Sequence, residues 1–169
     1  MKKIVSILGI LTLISVGLFA ADKKSLKSFT TYDLDGNVVT QDIFSKADVT
    51  VLNAWGTFCG PCINEMPELG KWSESMPKNV QLVGLVVDVN STKDSKGISL
   101  ARKILDRTGA HFVNLIASKN FAEFLQDVQF VPTTFLIDSK GNIIGEPIVG
   151  ARVELYKQAV EKYLNGKKN

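Results

Sequence analysis

Two long apolar runs limit the folds open to this chain more than any other feature. They cover residues 49–56, "VTVLNAWG", and 80–90, "VQLVGLVVDVN", and apolar and polar residues do not alternate in either. Uninterrupted runs of this kind are typical of strands buried on both faces. Between them, apolar residues recur at helical spacing from Ile63 to Trp72 and stop before Pro77. A strand, a helix and a second strand in this order predict an α/β sandwich of three layers.

A β-hairpin is predicted on each side of this unit. Residues 29–44 flank the turn signal Asp35-Gly36, and residues 133–150 flank a second turn, "SKGN". The remaining patterns are a helix within 91–110 that ends at Gly109, a strand over 111–117, a short helix over 118–128 capped by Ser118, and an amphipathic helix over 153–164. Together the two hairpins predict a mixed sheet with antiparallel edges.

The start of the chain has the pattern of an export signal. Two lysines precede an apolar run over residues 4–20, which is the arrangement of a secretory signal peptide. A cut after either alanine at the end of the run leaves Leu18 or Phe19 at a position where a small residue is preferred. An uncleaved membrane anchor is therefore the alternative, because the run is at the short end of what spans a bilayer. In both cases residues 1–21 predict an extracytoplasmic, periplasmic protein.

The part of the chain after the leader is expected to form one domain. Residues 22–28, "DKKSLKS", have the composition of a polar tether, and residues 29–169 contain all the predicted elements. The whole chain has a net charge of +3, and without its first 20 residues, which carry two lysines, 18 basic residues face 17 acidic ones. This balance gives no electrostatic surface for nucleic acid. We expect a monomer that binds no nucleic acid.

The chain has two cysteines, Cys59 and Cys62, and three kinds of site could use them. A structural zinc site needs about four ligands, and His111 is the only histidine that could add to the pair. A structural disulfide across two residues closes a very small loop, and disulfide stabilisation grows with loop length. Thiol–disulfide redox chemistry is the third interpretation and the one that the placement of the pair favours.

The pair lies where a buried strand gives way to a helix. The strand ends at about Gly56 and the helix begins at about Cys59, so the Cys59 thiolate benefits from the helix dipole and from unpaired N–H groups. Pro61 suits the first helical turn. Cys62 lies about one turn further along, where we expect it to be more buried and to act as the resolving thiol. These positions predict a reactive thiol followed by a protected one.

The motif "WGTFCGPC" over 55–62, the strand before it and Val131-Pro132-Thr133 before a hairpin resemble the thioredoxin superfamily. They are most similar to its exported ResA/TlpA-like branch, which includes thioredoxins of cytochrome c maturation. The resemblance covers nearly all of the chain after the leader. It implies a thioredoxin-like three-layer sandwich with a mixed central sheet and an N-terminal β-hairpin.

The resemblance also assigns roles in catalysis. Cys59 matches the family nucleophile and Cys62 the resolving thiol, and together they match its redox-active disulfide. Pro132 matches the family's cis-proline, which lies beside the cysteines and presents the backbone of the preceding residue, Val131, to the substrate. Pro67 matches the proline that kinks the active-site helix, with a helix end as the alternative.

Four further residues are expected on the substrate side of this site. Trp55 matches the family's tryptophan four residues before the nucleophile, with core packing as the alternative. Gly60 and Pro61, between the cysteines, match the reducing thioredoxins. Phe58 stands where the family usually has a tryptophan, and Ala54 where an aromatic residue is common. Phe58 still supplies an apolar rim, so these departures affect the substrate surface more than the chemistry.

Proton transfer at the cysteine pair is expected to use a different residue here from the one that cytosolic thioredoxins use. Those proteins carry a buried aspartate six residues before the nucleophile, where this chain has Asn53, as ResA-like proteins do. Glu65 follows Cys62 by three residues and so faces the same side of the helix. ResA-like proteins have an active-site glutamate there. Partial burial raises the pKa of a carboxyl group towards neutrality, which predicts proton handling by Glu65. A solvated helix residue is the alternative.

The function implied by the resemblance is reduction of protein disulfides outside the cytoplasm. The implied substrate is a disulfide-containing protein, with apocytochrome c as a candidate. The chain has no nicotinamide or flavin motif, so we expect no cofactor and a membrane thiol protein as the electron donor. Two alternatives stay open at this point: a disulfide oxidase or isomerase with the same residues, and a non-enzymatic binding module that keeps the fold.

Overall fold

The computed structural model describes residues 25–26 and 28–167. The predicted leader, residues 1–21, and most of the predicted tether, residues 22–28, lie outside this part. Within it, no helix is both long enough and apolar enough to cross a bilayer.

A five-stranded mixed sheet is at the centre of the fold. The strands are β1 (Thr30–Tyr32), β2 (Val38–Thr40), β3 (Val49–Trp55), β4 (Val80–Val86), β5 (Val113–Ile116), β6 (Thr133–Asp138) and β7 (Ile143–Val149). The helices are α1 (Gly60–Ser75), α2 (Ser95–Thr108), α3 (Ala122–Leu125) and α4 (Val153–Gly166). The order in the central sheet is β5-β4-β3-β6-β7, with β3, β4 and β5 parallel and β6 and β7 antiparallel to their neighbours. This is the mixed sheet that the sequence predicts.

The centre of the sheet is buried on both faces, which confirms the three-layer arrangement. Every residue of β3 is buried. On one face, Val51 and Trp55 pack into a cluster with residues of α1, α2 and α4. On the other, Leu52 packs into a second cluster that includes Phe44 and Phe121. The uninterrupted apolar pattern of residues 49–56 has its physical cause in these two contacts.

The N-terminal hairpin forms as predicted but does not become an edge of the central sheet. β1 and β2 form a two-stranded sheet of their own, and Gly36 in the turn has a φ of 84°. Residues Gln41–Lys46 form a 3-10 turn instead of extending β2. Asp33 reaches the central sheet through one isolated bridge to Leu115. The prediction of antiparallel edges is therefore correct at β7 and wrong at β5, which is parallel to β4.

Two local predictions differ from the structure. Ser118 begins a 3-10 turn, but its side chain makes no capping hydrogen bond, and α3 is only one turn long. Phe121 holds this segment instead, because its ring is buried 4.8 Å from that of Phe29. Leu26, in the predicted polar tether, is 6% exposed, and its N–H donates to the Gly141 carbonyl at 2.8 Å. Leu26 therefore packs on the folded domain.

Candidate functional site

The two cysteines lie where β3 gives way to α1. Cys59 is the N-cap residue of α1, and the backbone N–H of Cys62 points at its Sγ atom at 3.2 Å. The predicted placement of Cys59 at the N-terminus of a helix is confirmed. Pro61 lies in the first turn, and Pro67 lies inside the helix and not at its end. A thiolate at Cys59 is favoured here by the helix dipole and by the backbone N–H groups.

The cysteines are joined to each other and differ in burial. The S–S distance between Cys59 and Cys62 is 2.07 Å, so the structure shows the oxidised form. Cys59 is 6% exposed and Cys62 is completely buried. Cys59 is therefore the more exposed residue of the pair and Cys62 the more buried one, as the sequence predicts.

The loop before β6 lies against the reactive sulfur. The Val131-Pro132 peptide bond is cis, and the Val131 carbonyl oxygen lies 3.4 Å from Cys59 Sγ. Pro132 is held in turn by its own carbonyl, which accepts a hydrogen bond from the Gly150 N–H at 2.8 Å. The hydroxyl of Thr133 donates a hydrogen bond to the Phe130 carbonyl at 2.7 Å, which holds the two ends of this loop together. Cys59 and Val131, which lie 72 positions apart in the chain, are thus held in contact.

Exposed apolar residues flank the two contacting residues in the chain, with Phe58 before Cys59 and Phe130 before Val131, and we call them the apolar rim. Phe58 is 72% exposed and Phe130 is 66% exposed, while Gly60 and Pro61 are also exposed and Val131 is half-buried. Beside this rim lies a cleft of about 870 Å³, whose lining includes Phe124, Phe130, Thr133, Glu146 and Val149. Exposed apolar patches are common at the interaction sites of proteins.

Trp55 is not part of that surface. Its side chain is completely buried, and its indole N–H donates to Asn114 Oδ1 at 2.8 Å. The backbone of Gly84 passes so close that a β-carbon there would lie 3.1 Å from the indole nitrogen. This placement corresponds to core packing, so a part for Trp55 in substrate binding has to be indirect, through the strand end that leads to Gly56.

Glu65 is buried on α1, three residues after Cys62. It is 5% exposed, which excludes the solvated alternative. Asn53 donates through Nδ2 to Glu65 Oε1 at 2.9 Å and to Thr134 Oγ1 at 3.0 Å. The Tyr156 hydroxyl lies 3.1 Å from Glu65 Oε2. Three elements, β3, β6 and α4, therefore enclose a carboxyl group carried by α1.

Burial raises the pKa of Glu65 to about 7. Desolvation is the largest cause, and the nearby charge of Glu68 acts in the same direction, while hydrogen bonds from Asn53 and Tyr156 lower the pKa in part. A carboxyl group with such a pKa can release or accept a proton near neutral pH. The arrangement is suited to proton exchange on the same helix face as Cys62.

Several residues of this site were missed by sequence reasoning. Tyr156 was expected only as part of an amphipathic helix, and Thr134 only as part of a strand. Asp88 was expected only as part of the strand over 80–90, yet it accepts hydrogen bonds from the N–H and the hydroxyl of Thr57, in the loop before Cys59. The only available signal was Tyr156 itself, because a buried tyrosine hydroxyl usually has a hydrogen-bond partner.

Within the described part of the chain, no group of three or more histidine, cysteine or acidic side chains is placed to hold a metal ion. His111, the candidate third ligand, is exposed just before β5.

Comparison with known proteins agrees with this geometry. The profile of the Redoxin family matches residues 21–163. The chain is 29% identical over 154 residues to the thiol-disulfide oxidoreductase ResA of Bacillus thuringiensis (strain Al Hakam), covering 86% of this chain and 82% of that protein. It is 27% identical to the protein of the same name from Halalkalibacterium halodurans, over 91% of each chain.

Solved structures show the same fold. A candidate thiol:disulfide interchange protein DsbE from Chlorobium tepidum superposes with a TM-score of 0.65 at 26% identity, over 83% of this chain and 95% of that one.

Proposed function

The chain belongs to the redoxin family and is a thiol-disulfide oxidoreductase with a thioredoxin-like fold, and from this premise we propose that it reduces disulfides of other proteins outside the cytoplasm. The observation that carries the proposal is the placement of Cys59. It caps α1 beside the buried Cys62, and its sulfur lies 3.4 Å from the Val131 carbonyl.

The proposed reaction begins with the reduced pair. The Cys59 thiolate attacks one sulfur of the substrate disulfide and forms a mixed disulfide, while the other substrate sulfur leaves as a thiolate. Cys62 then loses its proton and attacks Cys59 Sγ, which releases the second substrate sulfur and closes the Cys59–Cys62 disulfide. Two electrons pass to the substrate, and the enzyme is left in the oxidised form that the structure contains.

Glu65 is proposed to manage the proton of the second step. With a pKa of about 7, it is partly ionised near neutral pH and can accept the proton that Cys62 loses, directly or through water. Asn53 supports the carboxylate through a hydrogen bond and adds no second charge. We therefore propose that Glu65 takes the part that a buried aspartate has in cytosolic thioredoxins.

The substrate surface is proposed to consist of Phe58, Gly60, Pro61 and Val131, and Pro132, which is buried, is proposed to bind the substrate indirectly by setting the position of Val131. An extended substrate segment can hydrogen-bond to the backbone of Val131 while its cysteine meets Cys59. The exposed aromatic rim favours a protein over a small disulfide, because a small molecule covers little of it.

The direction of electron flow is proposed from the Gly60-Pro61 pair, which matches reducing thioredoxins. Reduction potentials in this superfamily range from about −270 to about −120 mV. This range corresponds to roughly 7 kcal/mol in the relative stability of the dithiol and disulfide forms. A reductase in an oxidising compartment needs a supply of electrons. We propose a membrane thiol protein as the donor, no bound cofactor, and apocytochrome c as the candidate substrate of a monomeric enzyme.

The proposed location outside the cytoplasm rests on the sequence of residues 1–21, which we propose to be either a cleaved signal peptide or an uncleaved membrane anchor. The remaining organisation is a connecting segment over 22–28, whose residue Leu26 is packed on the domain, and the enzyme domain over 29–169.

The decisive experiment traps the reaction partner. A Cys62→Ser variant with its native leader should hold substrates as mixed disulfides on Cys59, because no resolving thiol remains. Capture of an apocytochrome and of a membrane thiol protein supports the proposal, and Cys59→Ser is the matched control that should capture neither. Capture of newly exported, unfolded proteins in general, together with a potential near −120 mV, indicates an oxidase instead.

A further inference from the structure

The hydroxyl group of Tyr156 has four polar neighbours: Gly150 and Arg152 in the loop before α4, Glu65 on α1, and the side chain of Thr134 on β6. The backbone N–H of Arg152 donates to its oxygen at 3.1 Å. The Gly150 carbonyl oxygen lies 2.6 Å from it, and Glu65 Oε2 lies 3.1 Å from it. Tyr156 itself is completely buried, so these neighbours satisfy the hydroxyl in place of bulk water.

The number of protons limits how these contacts can be made. A carbonyl oxygen only accepts, so the short contact with Gly150 requires the single hydroxyl proton of Tyr156. While this proton is on the Gly150 side, the contact between Tyr156 and Glu65 is a hydrogen bond only if Glu65 supplies the proton. If the hydroxyl turns, Tyr156 can donate to Glu65 Oε2 instead. The other carboxyl oxygen, Oε1, already accepts from Asn53 Nδ2 at 2.9 Å, which leaves Oε2 to carry the acid proton.

We propose that Tyr156 is a positioning residue that couples the protonation of Glu65 to the chain segment that supports the substrate-presenting proline. When Glu65 is neutral, it donates to the Tyr156 oxygen, and Tyr156 donates to the Gly150 carbonyl. When Glu65 is ionised, the Tyr156 hydroxyl turns to the carboxylate, because a charge-assisted hydrogen bond is about twice as strong as a neutral one. The Gly150 carbonyl then loses its donor.

Gly150 connects this exchange to the substrate side of the site. Its N–H donates to the Pro132 carbonyl at 2.8 Å, and Val131, on the other side of the cis bond, faces Cys59. The two polar backbone groups of one residue therefore bond to Tyr156 and to Pro132. A change in the Gly150–Tyr156 bond acts on the loop that holds the substrate next to the reactive sulfur.

Among the groups that face each other around Glu65, Glu65 is the one that gains or loses a proton in this exchange. From α4 it faces Tyr156, whose pKa burial raises to about 12, so the hydroxyl keeps its proton. On α1 the charged neighbour is Glu68, which is paired with Lys157 at 2.8 Å. Asn53 on β3 and Thr134 on β6 do not titrate, and Cys62 is held in the disulfide.

The coupling can be measured by NMR on the oxidised protein. The probes are the Glu65 carboxyl carbon, the Gly150 carbonyl carbon and the amide of Ala151, which is bonded to that carbonyl, titrated from about pH 5 to about pH 9. We expect all three to shift with one midpoint in the wild type. In Tyr156→Phe, Glu65 should still titrate while the pH-dependent shift at Gly150 and Ala151 is lost. In Glu65→Gln, the shift should be absent at both.

Tyr163→Phe is the matched control, since it makes the same change on the same helix and should leave all midpoints unchanged. Gly150 signals that titrate equally in Tyr156→Phe would overturn the proposal. If that variant does not fold, the wild type alone decides: a Gly150 carbonyl signal that stays constant while Glu65 titrates contradicts the coupling. The functional consequence rests on the proposed function, but the titration needs no substrate. A negative titration result would contradict the coupling but not the proposed disulfide reduction. A failure to reduce disulfides would contradict the proposed function but not the coupling.

Discussion

The side-chain amide of Asn53 donates a hydrogen bond to Glu65 at 2.9 Å, from the central strand β3 to the active-site helix α1. Both side chains are buried. The amide stabilises the carboxylate without bringing a second negative charge, so Glu65 remains the only carboxyl group buried among the described residues at this point of the core. Its titration is therefore expected to dominate the pH dependence of the site.

Replacing Glu65 by glutamine should slow disulfide exchange in a pH-dependent way. Glu65 accepts protons only when it is ionised, so the wild-type rate should rise through a pH of about 7, and Glu65→Gln should lose that rise. We expect the rate above the midpoint to fall by at least about tenfold. The measurement is the pH profile of insulin-disulfide reduction.

The matched control for that profile is Glu68→Gln, one turn further along α1, where the side chain is exposed and pairs with Lys157. It should keep the rise in rate, with the midpoint moved to lower pH, because the charge of Glu68 is one of the causes that raise the pKa of Glu65. Equal profiles for the wild type and Glu65→Gln would show that Glu65 has no part in proton transfer.

Stability should also respond to Glu65. Because burial raises its pKa from 4.5 to about 7, the folded protein holds a proton that the unfolded chain releases between these two values. The free energy of unfolding therefore loses a contribution as pH rises through this window and stays constant above it. At about 1.4 kcal/mol per pH unit, the loss is about 3 kcal/mol.

The measurement is urea unfolding of the oxidised wild type and Glu65→Gln at a series of pH values. The difference between their unfolding free energies should fall with rising pH, while contributions from other groups cancel. A difference that stays level between pH 4.5 and 7 would be inconsistent with the raised pKa.

The aromatic rim should matter for protein substrates alone. Phe58 is 72% exposed, so Phe58→Ala should change stability by less than about 0.5 kcal/mol. It should lower kcat/KM for a protein disulfide about fivefold, or about 1 kcal/mol, through lost apolar contact. The rate with a small aliphatic disulfide should not change. Val38→Ala, at a 62% exposed site in the hairpin, is the control and should leave both rates unchanged. Equal losses with both substrates would place Phe58 in the chemistry and not in recognition.

A methyl group at Gly84 should destabilise the core. Its β-carbon would lie 1.8 Å from Asn114 Oδ1, and that side chain is fixed at both ends by hydrogen bonds to Trp55 and to the Phe112 carbonyl, each 2.8 Å long. We expect Gly84→Ala to cost about 1–3 kcal/mol or more in urea unfolding. Gly60→Ala is the control, because a β-carbon there meets nothing within 4 Å. Equal stability of the two variants would contradict this packing.

The order and type of the main elements could be predicted because they depend on local patterns. The apolar runs became β3 and β4, and the Asp35-Gly36 turn formed a hairpin. The errors lie where distant contacts decide the outcome. β5 occupies an edge where an antiparallel strand was expected, Ser118 makes no cap, and Leu26 packs on the domain. None of these contacts leaves a periodic signal in the sequence.

The sequence by itself determined that Cys59 stands at the start of a helix, that Cys62 follows one turn later, and that Glu65 lies one turn beyond Cys62. These relations follow from helical geometry over a few residues. Only the tertiary structure decided that Glu65 is buried and bonded to Asn53 and Tyr156, which lie 12 and 91 positions away in the chain. Desolvation depends on what packs over a side chain, and a local pattern does not contain that information.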